Sequence, residues 1–150
     1  MAQASRTETL PIDMETFYKV VTDYESYSDF VDGVSEVKIL EQGKTKLVVE
    51  YSLNLIKTFH YTLKTKQEMK AKSAKVNWKL VESDLMKVNN GSWTLKAISE
   101  EETEVTYDIE VEFKGFVPKM VINKLVEGNL PGLFKSYLKR AKAIHGKKKK

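Results

Sequence analysis

At 150 residues, of which 41% are hydrophobic, 10% aromatic and 31% charged, the chain reads as one globular domain with a sizeable core, which excludes a disordered or fibrous protein. Zero cysteines exclude a disulfide framework, a thiolate zinc site, an iron–sulfur cluster and a thiol nucleophile. The net charge is +4 and the apolar runs are only a few residues long, so no segment reads as a bilayer span or as the apolar core of a signal peptide, and the cytoplasm is the expected address.

Residues 3–10 are rich in threonine and read as a first strand that ends at Pro11. Asp13 then supplies a helix N-cap, Glu15 an acid in the first turn, and Ile12 a hydrophobic staple onto Phe17. Phe17, Val20, Val21 and Tyr24 follow at helical spacing. A second short helical turn carries Tyr27, Phe30 and Val31 on one side, with Gly33 as its stop.

From Ser35 to Lys114 the hydrophobic period changes to two. Residues 34–40 read as a strand and Gln42-Gly43-Lys44 as its turn. On the next strand Leu47, Val49, Tyr51, Leu53 and Leu55 alternate with Glu50, Ser52 and Asn54. Phe59, Tyr61 and Leu63 continue the pattern, then Val76, Trp78 and Leu80, and finally Val105, Tyr107, Ile109, Val111 and Phe113. Such alternation predicts an antiparallel sheet with one wet and one dry face. Residues 86–98 admit two readings: a hairpin turning at Asn90-Gly91, or one long strand with a bulge at Gly91 and Trp93, Leu95 and Ala97 inward. A curved sheet favours the bulge.

The last element runs from Pro118 to about His145 as a helical stripe, including Met120, Leu125, Phe134, Tyr137, Ala141 and Ile144, with lysines largely on the other side. Gly128, Pro131 and Gly132 predict a kink or break near residues 127–130. From Pro118 onward ten Lys/Arg face one acid, Glu127, giving +9, while the other 117 residues carry −5. The expected organisation is a single domain over residues 1–146 and a basic tail, residues 147–150. The basic segment suits phosphates of RNA or of an anionic membrane surface, and equally suits a plain solvated helix face.

A dry sheet face and one long amphipathic helix either meet in a filled core or leave a pocket between them. Taken alone, the inward aromatics Tyr51, Phe59, Tyr61, Trp78, Trp93, Tyr107 and Phe113 read as core. The stretches Ser5-Arg6-Thr7, Asp23-Tyr24-Glu25-Ser26-Tyr27-Ser28-Asp29-Phe30, Leu80-Val81-Glu82, Asn90-Gly91-Ser92-Trp93 and Val111-Glu112-Phe113, in this order and spacing, resemble the polyketide cyclase/dehydrase and coenzyme-Q-binding branch of the START-like (Bet v 1-like, helix-grip) superfamily. Ser28 and Asp32 stand where that branch usually has proline.

The resemblance implies an α+β helix-grip fold: a curved antiparallel sheet of about seven strands gripping a long C-terminal helix, with two short helices after the first strand. It also implies a cavity for an apolar small molecule such as a lipid, an isoprenoid quinone or a polyketide-like compound. Its expected walls are Tyr51, Leu53, Phe59, Tyr61, Trp78, Trp93, Tyr107 and Ile109 from the sheet, with Met120, Leu125 and Phe134 from the helix. Arg6 is a candidate head-group anchor or an edge salt bridge.

Catalytic constellations are missing from the sequence. The two histidines, His60 and His145, have no metal-ligand spacing, and neither a Gly-x-Ser-x-Gly elbow nor a glycine-rich phosphate loop is present. No cofactor, metal or DNA partner is expected. Three functions remain, in this order: a carrier of an apolar ligand; a ribosome-associated or membrane-surface protein acting through the basic helix; and a polyketide cyclase-type enzyme, which needs an acid or base inside the cavity.

Overall fold

The computed structural model describes residues 2–31, 34–54, 58–119 and 130–148. Seven strands form one antiparallel sheet: β1 (Ala2–Leu10), β2 (Val34–Gln42), β3 (Lys46–Asn54), β4 (Thr58–Met69), β5 (Ser73–Ser83), β6 (Met86–Ala97) and β7 (Thr103–Phe113). Their order across the sheet is β1-β7-β6-β5-β4-β3-β2. Strands β2 to β7 are therefore a meander, and β1 returns to pair with β7. The connection between the two edge strands is made by α1 (Met14–Thr22), a 3-10 turn (Tyr24–Ser26) and α2 (Tyr27–Phe30). The C-terminal helix α3 spans Leu130–Lys148.

The helix start after β1 follows from its sequence. The Asp13 carboxylate accepts the Thr16 backbone N–H at 3.0 Å and the Thr16 hydroxyl at 2.8 Å, satisfying a donor the first turn would otherwise leave open. Thr103, at the start of β7, donates its hydroxyl to the Ile12 carbonyl at 2.7 Å and so ties this corner to the sheet. Phe17, Val20 and Val21 are fully buried against the sheet.

Alternation is visible strand by strand: Val49, Tyr51 and Leu53 on β3, and Val105, Tyr107, Ile109 and Val111 on β7, are all buried. Register shifts on β2–β3, on β4–β5 at Thr62/Leu63 and on β6–β7 at Met86/Val88 add the local twist that bends the sheet.

The residues 86–98 question is resolved in favour of one strand, and the role of Gly91 changes. β6 is continuous and its ladder with β7 runs unbroken through Asn90↔Glu110 and Gly91↔Ile109. The register shift falls at Met86/Val88 instead. Gly91 is small because the Trp78 ring lies over it: a Cβ there would stand 2.3 Å from Trp78 Cζ2 and 2.6 Å from the Asp108 carbonyl oxygen. Pro131 falls in the first turn of α3, where proline has no helical hydrogen bond to lose. Of the expected break near residues 127–130, residues 127–129 lie outside the described residues, as do Gly33 and Leu55, and Leu130 is the first described residue of α3. The helix continues through Lys147 and Lys148, the first half of the lysine run. Among the described residues no helix is long and apolar enough to cross a membrane.

Candidate functional site

The concave side of the sheet and the helices enclose a cavity of about 140 Å3. Its sheet wall comes from the inward positions of five strands: Tyr51 and Leu53 of β3, Tyr61, Leu63 and Thr65 of β4, Val76 and Trp78 of β5, Met86, Asn89 and Trp93 of β6, and Tyr107, Ile109 and Val111 of β7. Tyr24, Tyr27 and Val31, the first residue of β2, Val34, and Leu133 and Tyr137 of α3 close the other side. Val31, Val34 and Leu133 are only half-buried, so the lining reaches solvent between the start of β2 and the first turns of α3.

Six of the seven tyrosines line this space. Their rings form a connected network. Tyr51 and Tyr61, directly opposite on β3 and β4, stack at 4.9 Å with planes 9° apart. Tyr137 of α3 reaches Trp93 at 4.9 Å, Phe30 at 5.2 Å and Tyr27 at 5.7 Å, edge-on to the last two. Such offset and edge-on geometries are those that aromatic quadrupoles favour. Trp93 in turn sits 4.6 Å from Tyr107.

Four polar side chains of the lining have partners within the protein. The Tyr24 hydroxyl donates to Gln67 Oε1 at 2.7 Å, and the Tyr27 hydroxyl to the Val21 carbonyl. Trp78 Nε1 donates to Asn89 Oδ1 at 3.0 Å, and the Asn89 amide donates onward to Met86 Sδ at 3.6 Å. Burial pushes the pKa of every cavity tyrosine above the usual 10.0, because a phenolate there would lose its hydration; neighbouring tyrosines add to the effect for all but Tyr137, where hydrogen bonding with Tyr27 works the other way. All six are therefore neutral phenols in the physiological range, able to donate one hydrogen bond each and unable to act as a base.

Of the expected wall residues, Tyr51, Leu53, Tyr61, Trp78, Trp93, Tyr107 and Ile109 line the cavity. Phe134 does not; it is 1% exposed and packs on Trp93 at 5.5 Å, one layer behind the wall. Phe59 shares the parity of Tyr61 but sits at the beginning of β4, where it is half-buried against the core and off the lining. Met120 and Leu125 lie outside the described residues. Arg6 is no part of the lining either: its Nε donates to Glu8 Oε2 at 2.6 Å, two residues along the same face of β1. That places it in the salt-bridge role.

Sequence reasoning missed Tyr24, Tyr27 and Tyr137, whose helical spacing reads as core, and the polar pair Thr65 and Asn89. Parity was the available signal for that pair. Thr65 continues Tyr61 and Leu63 at two-residue steps, and Asn89 precedes Gly91, Trp93 and Leu95 in the same way.

A model of the polyketide cyclase / dehydrase and lipid transport family matches residues 10–134. Among curated proteins, the chain is similar to the ribosome association toxin RatA of Escherichia coli, at 24% identity over 148 residues that cover 97% of this chain and 90% of that protein. Among solved structures it is similar to a START superfamily protein from Mycobacterium smegmatis, with a TM-score of 0.80 at 17% identity over 96% of this chain and 99% of that one. The Zhui aromatase/cyclase from a Streptomyces species gives a TM-score of 0.75 at 18% identity, covering 93% of both chains. At such identities the solved structures show the fold alone, a helix-grip arrangement of sheet and C-terminal helix. With the family model matched over most of its length, the chain belongs to the polyketide cyclase / dehydrase and lipid transport family.

Proposed function

We propose that this protein binds and carries an apolar small molecule in the cavity beneath α3 without transforming it. The observation that carries the reading is the composition of the lining. It is apolar and aromatic with a few hydrogen-bonding groups, the chemistry of small-molecule pockets. Among the described lining residues none is Asp, Glu, His, Lys or Arg, and the tyrosines are held neutral, so no group there exchanges a proton near neutral pH. The description of the matched family includes lipid transport, which fits a carrier.

Size refines the proposal. A cavity near 140 Å3 is below the ~300–1,000 Å3 that encloses a drug-sized ligand, and close to the ~150 Å3 that holds one benzene ring. One ring fits the resting cavity. A lipid or isoprenoid tail has to leave by the half-buried rim at Val31, Val34 and Leu133 or displace α3. Native mass spectrometry of freshly purified protein, followed by solvent extraction, tests the proposal. A stoichiometric apolar compound, recovered chemically unchanged after incubation, is the expected result. A bare protein mass, together with unaltered tryptophan fluorescence on titration with quinones, fatty acids and aromatic polyketides, rejects it.

A second reading is favoured by a separate observation. Lys135, Lys139 and Lys142 are exposed at successive turns of α3, on the side opposite Phe134, Tyr137 and Ala141. Such a stripe suits RNA phosphates, and relatives at 24% identity are named ribosome association toxins. Association with the ribosome through α3 is compatible with an occupied cavity, because the two use opposite faces of the helix.

A further inference from the structure

The cavity wall contains one polar group whose chemistry the packing does not explain. Thr65 is 2% exposed and lines the cavity, and its Oγ1 has no hydrogen-bond partner among the described residues. Two other buried threonines behave differently: Thr103 donates to the Ile12 carbonyl at 2.7 Å and Thr16 to Asp13 Oδ2 at 2.8 Å. A buried hydroxyl without a partner forfeits its bonds to water with nothing in return, and a valine of the same shape would avoid that loss.

Its surroundings are polar on one side only. Thr65 pairs with Trp78 across β4 and β5, and the Trp78 indole reaches over to Asn89 on β6, at 3.0 Å. Asn89, 6% exposed, spends one amide N–H on the Met86 thioether at 3.6 Å, a weak acceptor, and so keeps donor capacity. Three adjacent strands thus bring a free hydroxyl and an under-used amide to the wall of a cavity whose other polar groups are tyrosine hydroxyls and indole N–H groups. A turn about χ1 exchanges the Thr65 methyl and hydroxyl, a change between staggered rotamers that a strand tolerates.

We infer that Thr65 is a ligand-binding group, and that the cavity selects a ring-sized apolar body bearing a hydroxyl or carbonyl oxygen over the corresponding hydrocarbon. The inference rests on the ligand-binding reading above and deepens it. In the empty protein the hydroxyl is a cost to stability, and the ligand's oxygen removes it.

Toluene and p-cresol, which differ by one hydroxyl, test this when titrated into the full chain and followed by tryptophan fluorescence and calorimetry. The wild-type protein should bind p-cresol more tightly than toluene. In Thr65→Val, p-cresol should weaken about tenfold, the loss of one buried hydrogen bond, while toluene changes by less than about twofold. Thr65→Ser should keep the wild-type preference. The empty Thr65→Val protein should also melt about 2–4 °C higher, since the variant removes an unsatisfied group. A p-cresol affinity unchanged in Thr65→Val, or a lower melting temperature, overturns the inference and leaves the carrier reading standing. Failure of both guests to bind the wild-type protein overturns the inference, and the carrier reading falls with it only where quinones, fatty acids and aromatic polyketides fail as well.

Discussion

Gly91 shows how one residue fixes one wall of the cavity. Its hydrogen is the only substituent that fits beneath the Trp78 ring and beside the Asp108 carbonyl, and the carbonyl belongs to the β7 ladder and cannot swing away. Gly91→Ala should therefore lift the indole, break its bond to Asn89 and destabilise the fold by about 1–3 kcal/mol, as overpacking does. The urea midpoint and the tryptophan emission maximum should move together; an unchanged midpoint would show that the ring is not held down. At this scale the sequence was only partly legible. Asn90-Gly91 carries the signature of a tight turn, and nothing in the chain announces that a tryptophan thirteen residues earlier covers the glycine. Arg6 is the opposite case, since Glu8 two positions along the strand was a visible partner. Thr65 and Asn89 were obscured because a polar residue in an alternating strand is ordinarily assigned to the wet face, although their parity places them on the dry one.

Among the elements, α3 does the closing. Its Tyr137 ring meets Phe17, Tyr27, Phe30 and Trp93, and one turn further on Arg140 lies over the Phe30 ring at 5.6 Å with Asp29 4.0 Å from its guanidinium. The exposed ion pair adds little, so the aromatic contacts carry the attachment. Tyr137→Ala should cost about 3–5 kcal/mol, the usual range for truncating a buried aromatic, and should widen the cavity so that two-ring guests bind where the wild type accepts one. Equal affinity for two-ring guests in both proteins would show that Tyr137 does not set the size limit. The strands and α1 were legible because their periods of two and 3.6 are unbroken and their caps are strong. The division between wall and core along α3 was not. Phe134 and Tyr137 are one turn apart on the same stripe, and only the tilt of the helix over the sheet decides that one faces the cavity and the other sits behind Trp93.

For the molecule as a whole, two properties are set by how charge and burial are distributed. The first is response to alkali. A phenol whose folded-state pKa is raised above the ordinary 10.0 contributes stability that is complete below pH 10 and is lost as pH climbs beyond it, because the unfolded chain then releases the proton more readily. With six such tyrosines in one cavity, tyrosinate absorbance, apart from the share of the half-buried Tyr18 outside it, and loss of far-ultraviolet dichroism should rise in a single coincident transition above pH 10. More than one tyrosine ionising before the sheet melts would mean that the cavity is wet. The second property is the separation of the basic face from the cavity. Replacing Lys135, Lys139 and Lys142 together by Glu reverses three exposed charges on the outer side of α3 without touching its buried side, so melting temperature and toluene binding should hold. If α3 meets ribosomal RNA, co-sedimentation of the wild type with ribosomes should weaken steeply as salt is raised, and the triple variant should lose it at low salt. Salt-insensitive co-sedimentation, retained by the triple variant, would remove the helix from that contact and leave the cavity as the functional surface of the molecule.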